Sequence, residues 1–226
     1  VIARGVSCDH CGAPVTFQAP FCSYCRAVLT WGSSLDIEPG KVFTALDLTR
    51  DALPGTEGWT KVLSAVQDGK IITIDGEGSH SGTFPFVLRD ACISASAVCL
   101  EPNVAFGVTG RLHKAGAATS TYVAQIHAAV RAYRVQRILW TMKENYIDVI
   151  RDWEFVPAIG GIGTLNHLEM RFADSVFQVL INGTNVASFV DAKFGFGHVG
   201  WRAVTFDPLP QKKRVLFRTL EVRGIK

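Results

Sequence analysis

The sequence predicts an all-β protein: a small cysteine-rich unit followed by a two-sheet antiparallel sandwich. Three observations carry that expectation. Four cysteines fall in the first 25 residues as two Cys-x-x-Cys pairs. Beyond residue 40 the chain breaks into short runs rich in Val, Ile, Thr and aromatics, separated by turn residues at near-regular spacing, the pattern of a sandwich of many short strands. A single stretch, Trp59, Val62, Leu63 and Val66, has helical spacing. It reads either as a short helix or, preferably, as an irregular edge strand.

The two pairs are Cys8-Asp9-His10-Cys11 and Cys22-Ser23-Tyr24-Cys25, with ten residues between them. A two-residue gap lets one tight knuckle aim two thiolates at a common point, and a second knuckle completes a tetrahedron around Zn²⁺. Gly12 supplies the positive φ that such a knuckle often needs, and Arg26 holds the matching place in the second. Pro14 and Pro20 bracket Val15-Thr16-Phe17, read as one short strand. The repetition resembles a zinc ribbon. It implies one structural zinc ion held by Cys8, Cys11, Cys22 and Cys25, in a closed site with no position for substrate. His10 reads as a solvent-facing loop residue. Two alternatives stand beside this reading. A redox Cys-x-x-Cys needs a βαβ setting that is not seen here, and disulfides need an oxidising compartment. The sequence shows no secretory signal. It begins at Val1 rather than Met, which leaves upstream processing open, and the expected location is cytoplasmic.

With 226 residues, the chain has room for a ribbon at 1–30, a linker at 31–40 and a sandwich at 41–226. Gly32, Ser33, Ser34, Pro39 and Gly40 mark the linker. Charged residues are 19% and hydrophobic residues 48%, so apolar surface must be buried in β-structure or against partners. Self-association or a protein partner is therefore expected. No apolar run reaches the ~18 residues of a membrane helix. A net charge of +3 is too small for a dedicated nucleic-acid binder. Cys92 and Cys99, seven apart on one strand, face opposite ways and read as buried free thiols.

Strands are expected at 70–74, 91–100, 104–112, 121–127, 133–139, 146–150, 167–172, 176–181, 184–190, 199–206 and 214–222. Asp75-Gly76 closes the first. Asn182-Gly183 predicts a type I′ hairpin, because both central residues take positive φ there. Val176 to Ile181 is apolar on nearly both faces and suits a strand covered on both sides. Arg131, Arg134 and Arg137, three apart, alternate sides on a strand. Asn182-Gly183-Thr184 is a formal glycosylation sequon, better explained by the tight hairpin.

Three runs carry a resemblance for residues 40–225: Asn166 to Phe172, Phe177 to Asp191, and Phe196 to Trp201, ending in Val215-Leu216-Phe217-Arg218. Trp153 to Ile159 before a glycine loop fits the same pattern. This part is similar to concanavalin A-like (laminin-G-like) jelly rolls, a group that includes lectin-like domains and glucanases. The resemblance implies a jelly-roll β-sandwich and, commonly, glycan binding on an exposed aromatic platform. Trp140, Tyr146, Trp153 and Trp201 are the candidate ligand-binding residues.

Hydrolysis would require paired carboxylates. The Glu-x-Asp-x-x-Glu and Glu-x-Asp-x-Glu patterns common in jelly-roll glucanases are both missing. The nearest set is Asp148, Asp152 and Glu154, which reads as rim charges around Trp153. His80, His113, His127, His167 and His198 have no metal-ligand spacing, and Gly160-Gly161-Ile162-Gly163 lacks the Lys-Ser/Thr of a phosphate loop. The expected function is non-catalytic: a structural or lectin-like recognition module for protein or glycan partners. A glycan-active hydrolase is the first alternative. A nucleic-acid-associated protein, resting on Phe17, Tyr24 and Arg26 of the ribbon, is the second.

Overall fold

The computed structural model describes residues 41–56, 63–115, 118–140, 145–206 and 211–225, with the backbone of two short strands, β1 (Val6–Ser7) and β2 (Pro14–Val15). β1 and β2 pair antiparallel, and the first cysteine pair falls between them in sequence. The four cysteines themselves and the linker lie outside the described residues.

The rest is strand. In order come β3 (Val42–Asp47), β4 (Leu63–Val66), β5 (Gly69–Asp75), β6 (Gly78–Leu88), β7 (Ala91–Cys99), β8 (Val104–Ala115) and β9 (Ala118–His127). A 3-10 turn at Ala128–Val130 follows. Then come β10 (Ala132–Trp140), β11 (Asn145–Phe155), β12 (Leu165–Ala173), β13 (Val176–Ile181), β14 (Thr184–Val190), β15 (Gly197–Thr205) and β16 (Lys212–Arg223). One sheet has the order β11-β10-β9-β8-β15-β6. The other runs β14-β13-β12-β7-β16-β5-β4, with β3 also on β16. Every pairing is antiparallel. The predicted two-sheet antiparallel β-sandwich is the observed fold.

Strand alternation builds the core between the sheets. Phe106, Val108, Tyr122, Ala124, Ile126, Tyr133, Val135, Val199 and Trp201 come from the first sheet. Ile93, Ala95, Ala97, Leu168, Met170, Phe172, Phe177, Val179, Val215 and Phe217 come from the second. Small residues on β7 bring the sheets together while Ser94 and Ser96 point the other way. Cys99 lies in the core, and Cys92 is buried beside Glu169 and Arg223 on the far side of its sheet. Both thiols are free, and burial pushes each up to about 12.

Local chemistry explains the turns. Asn182 and Gly183 have φ of 48° and 83°, as a type I′ turn requires. The Asn182 amide donates to Ala158 O at 2.7 Å and to Asn166 Oδ1 at 3.1 Å. Buried Asn166 in turn accepts from Gly160 N at 2.7 Å and orders the glycine loop. Arg111 sits at a β-bulge with φ 49°. Its guanidinium is fully buried, lies over Phe172 and Phe177, and donates to the carbonyls of Phe194, Arg89 and Asp174. It cross-links three loops.

Several expectations need correction. Residues 78–88, absent from the expected strands, form the long strand β6, because Phe84 and Leu88 alternate inward. Residues 42–47 form a strand the sequence reading omitted. β13 is covered on one face only: Phe177, Val179 and Ile181 are buried, whereas Val176 is 47% exposed. The stretch from Trp59 to Val66, read preferably as an irregular edge strand, is an edge strand on β5 over Leu63–Val66, while Trp59 and Val62 lie outside the described residues. Among the described residues no helix is long and apolar enough to cross a membrane.

Candidate functional site

The outer face of the six-stranded sheet, turned away from the core, gathers most of the buried side-chain polar atoms that lack a partner among the described residues. Pairing register sets its rows. One row runs Arg134–Gln125–Gly107–Arg202–Ser81 across five strands. The next runs Val149–Gln136–Val123–Thr109–Gly200–Thr83. Phe155, Ala132 and His127 begin a third. Neither full row contains a carboxylate.

The floor is polar and covered. Gln125, Gln136 and Thr109 are 1%, 4% and 2% exposed. Gln125 Nε2 donates to Gln136 Oε1 at 3.2 Å. Gln125 Oε1, Thr109 Oγ1 and His127 Nδ1 are buried without a hydrogen-bond partner. Buried polar atoms are rarely left so, and each needs a reason. Gly107 stands in the middle of the row because nothing larger fits: a Cβ there would meet Ala124 O at 2.4 Å.

The walls are aromatic and half-buried. Trp153 meets His127 and Phe206 edge-on at 5.6 and 5.5 Å, while His127 stacks on Phe206 at 5.6 Å and 9°. Burial first, and the Arg134 charge after it, push the His127 imidazole below its ordinary value, so it is neutral at pH 7. The Arg134 guanidinium carbon lies 4.6 Å from the Trp153 ring and 5.6 Å from Phe206. Arg202 lies 5.3 Å from the ring of Trp140. β8 and β9 separate β15 from β10, roughly 14 Å of sheet. Trp140 and Arg202 therefore lean toward each other over the floor.

The four sequence-selected aromatics separate by the two-residue period of a strand. Trp140 and Trp153 share the outer face. Tyr146 is 55% exposed, but it pairs with Leu139 and so faces the other side of the sheet. Trp201 is 0% exposed; its indole donates to Pro54 O at 2.9 Å and packs on Phe217. Trp201 is a core residue and offers no platform.

The carboxylates have separate structural partners. Asp148 pairs with Arg137, which also binds Asp191. Asp152 Oδ1 accepts from Trp153 N at 2.8 Å, and Glu154 Oε2 accepts from Tyr133 OH at 3.1 Å. Among the described residues no group of three or more His, Cys, Asp or Glu is placed to hold a metal. A separate cavity of about 320 Å³ is lined by Arg89, Arg111, Asp174 and Phe196; there Arg111 Nη1 and Nη2 donate to loop carbonyls, while its Nε is buried without a partner. Arg202, Gln125, Gln136 and Thr109 were missed by sequence reading. The available signal was polar residues recurring at every second place in otherwise apolar strands.

A family model for a zinc-ribbon domain matches residues 4–29. Its four thiolates are the soft donor set that suits a closed Zn²⁺ site, and the β1–β2 pair flanks the first two of them in sequence. No curated protein shows significant similarity to the sequence. Three solved structures share the sandwich. The carbohydrate-binding module CBM66 from Bacillus subtilis aligns with TM-score 0.54 at 16% identity, over 72% of this chain and 91% of its own. A Bacillus subtilis protein of unknown function with a galectin-like fold gives 0.56 at 11%, over 83% and 98%. A Bacteroides ovatus mixed-linkage glucan GH16 protein, in complex with its G4G4G3G product, gives 0.55 at 12%, over 84% and 98%. The fold is that of carbohydrate-binding and glucanase jelly rolls.

Proposed function

We propose that the chain is a non-catalytic, concanavalin A-like glycan-recognition module that binds saccharide on the outer face of the six-stranded sheet. The observation that carries this is the outer face itself: half-buried Trp140 and Trp153 share it with Gln125 Oε1, Thr109 Oγ1 and His127 Nδ1, which are buried without partners. Sugars offer the complement, since C–H faces lie on aromatic rings and hydroxyls satisfy polar atoms at fixed positions. The carbohydrate-binding neighbours support the same ligand class. The lack of a carboxylate in the two full rows, and the structural engagement of Asp148, Asp152 and Glu154, favour binding over hydrolysis.

The test is affinity electrophoresis of the full chain in gels containing a panel of soluble polysaccharides, with reducing-sugar release measured in parallel. Retardation by at least one glycan is expected. Trp153→Ala should weaken it about tenfold, from ~1.5 kcal/mol of lost apolar contact. Turnover that disappears in Asp152→Asn/Glu154→Gln would replace this reading with the hydrolase one. The ribbon is proposed to hold one structural Zn²⁺ and to contribute no chemistry to the groove.

A further inference from the structure

Two cations share the central row of the groove. Arg134 and Arg202 stand at either end of Arg134–Gln125–Gly107–Arg202. Their Cα atoms are about 14 Å apart by strand spacing, and both side chains lie over the face. Arg134 is held by the rings of Trp153 and Phe206, and its buried Nε has no partner. Among the described residues it makes no hydrogen bond and no ion pair. Its nearest opposing charge is Asp152, an exposed residue that accepts from its own strand. Arg202 is held over Trp140, donates once, to Ser79 Oγ at 3.2 Å, and also keeps a buried Nε without a partner. Arg137, Arg171, Arg214 and Arg223 differ, since each meets a carboxylate, and Arg131 donates to the carbonyls of Ile159 and Pro157.

Burying a guanidinium without a counter-ion is costly. Here the cost is visible: burial first, then repulsion from Arg134, lowers Arg202 to about 10. Arg134 is lowered by the same desolvation. Ring faces hold such a cation in place but do not use its in-plane N–H donors, of which Arg202 spends one on Ser79. Those donors match the paired oxygens of a carboxylate or sulfate. Between the two charges, Gly107 is buried with no room for a Cβ, and Gln125 Oε1 is buried without a partner.

We infer that the groove selects an acidic saccharide, one bearing carboxylate or sulfate groups, with Arg134 and Arg202 as its anion-binding pair. This rests on the glycan-binding reading above and adds the class of glycan. The ring faces take the sugar, and the acidic substituents meet the two guanidinium edges.

The experiment compares matched polymers on the full chain by isothermal titration at low and moderate salt. The pairs are polygalacturonate against its methyl ester, for carboxylate, and dextran sulfate against dextran, for sulfate. At least one charged member should bind about tenfold or more tightly than its neutral partner, as charge-assisted hydrogen bonds allow. That preference should shrink as salt rises. Arg134→Gln and Arg202→Gln should each remove most of it. Arg50→Gln, an exposed arginine on a turn after β3, should not. If a glutamine variant fails to fold, Arg134→Lys provides the test: it keeps the charge but not the fork, and should lose part of the preference. Neutral and charged members binding equally, with Trp153→Ala still weakening both, would overturn the acidic preference and leave glycan binding intact. Equal loss in Arg50→Gln would also overturn it, as general polyanion attraction. Binding to no saccharide would overturn both readings. Poly-uridylate RNA bound more tightly than any saccharide, and lost in Trp153→Ala, would assign the groove to single-stranded nucleic acid instead.

Discussion

Glu169 shows how single side chains fix this molecule's response to pH. It is 5% exposed, on the face of β12 turned away from the core, between Arg171 and Arg223 and beside His167. Burial pushes its carboxyl up, but nearby His167, the hydrogen bond from Arg171 and the charge of Arg223 outweigh it, leaving a value of about 2. A depressed carboxylate stabilises the fold above its unfolded value near 4.3 and loses that contribution as pH falls toward the folded one. The stability of the sandwich should therefore decline between about pH 5 and pH 2, by on the order of 3 kcal/mol from this group. Urea midpoints measured across that range check it. Glu169→Gln should be less stable at pH 7 and show a flatter acid limb.

At the scale of elements, the β13–β14 hairpin depends on its turn. Gly183 has φ 83°, a region that costs a branched residue about 1–2 kcal/mol. The adjacent Asn182 ties the turn to Ala158 and Asn166. Gly183→Val should lower stability by about that amount while leaving glycan binding unchanged, because the hairpin belongs to the other sheet. Chemical denaturation and affinity electrophoresis on the same preparation separate the two effects. Trp201 belongs to the same class: its truncation to Ala should cost about 3–5 kcal/mol through a core cavity. A loss of sugar affinity without a loss of stability would contradict its placement as core.

For the whole molecule, the two parts should respond independently. Cys22→Ser is expected to abolish one equivalent of bound zinc, read by elemental analysis, while leaving the sandwich's near-ultraviolet circular dichroism unchanged. Association is a property of edges. Among the described residues β11 pairs with β10 alone and exposes Ile147, Val149 and Phe155 along the outer face, an invitation to strand pairing. Sedimentation at micromolar concentration, with and without residues 1–30, should reveal a dimer or larger species. Val149→Lys should reduce it. A monomer in both preparations would remove the expectation.

The sequence by itself determined what depends on neighbours along the chain. Alternation fixed nearly every strand from 91 to 222, and Asn182-Gly183 fixed its turn. The thiol spacing carried the zinc-ribbon reading, and the three-residue step from Arg134 to Arg137 put those two on opposite faces of β10, whereas Arg131 falls in the turn before it. It could not rank the aromatics, because alternation says which residues share a face but not which face meets the core. Trp153 and Trp201 look alike in sequence, and only sheet stacking buries one and lines a groove with the other. β6 was hidden for a related reason: its polar residues His80, Ser81 and Thr83 resemble a loop until β15 pairs with it. The row joining Arg134 to Arg202 is 68 residues apart in the chain, and strand order alone, β10-β9-β8-β15, brings those two charges onto one surface.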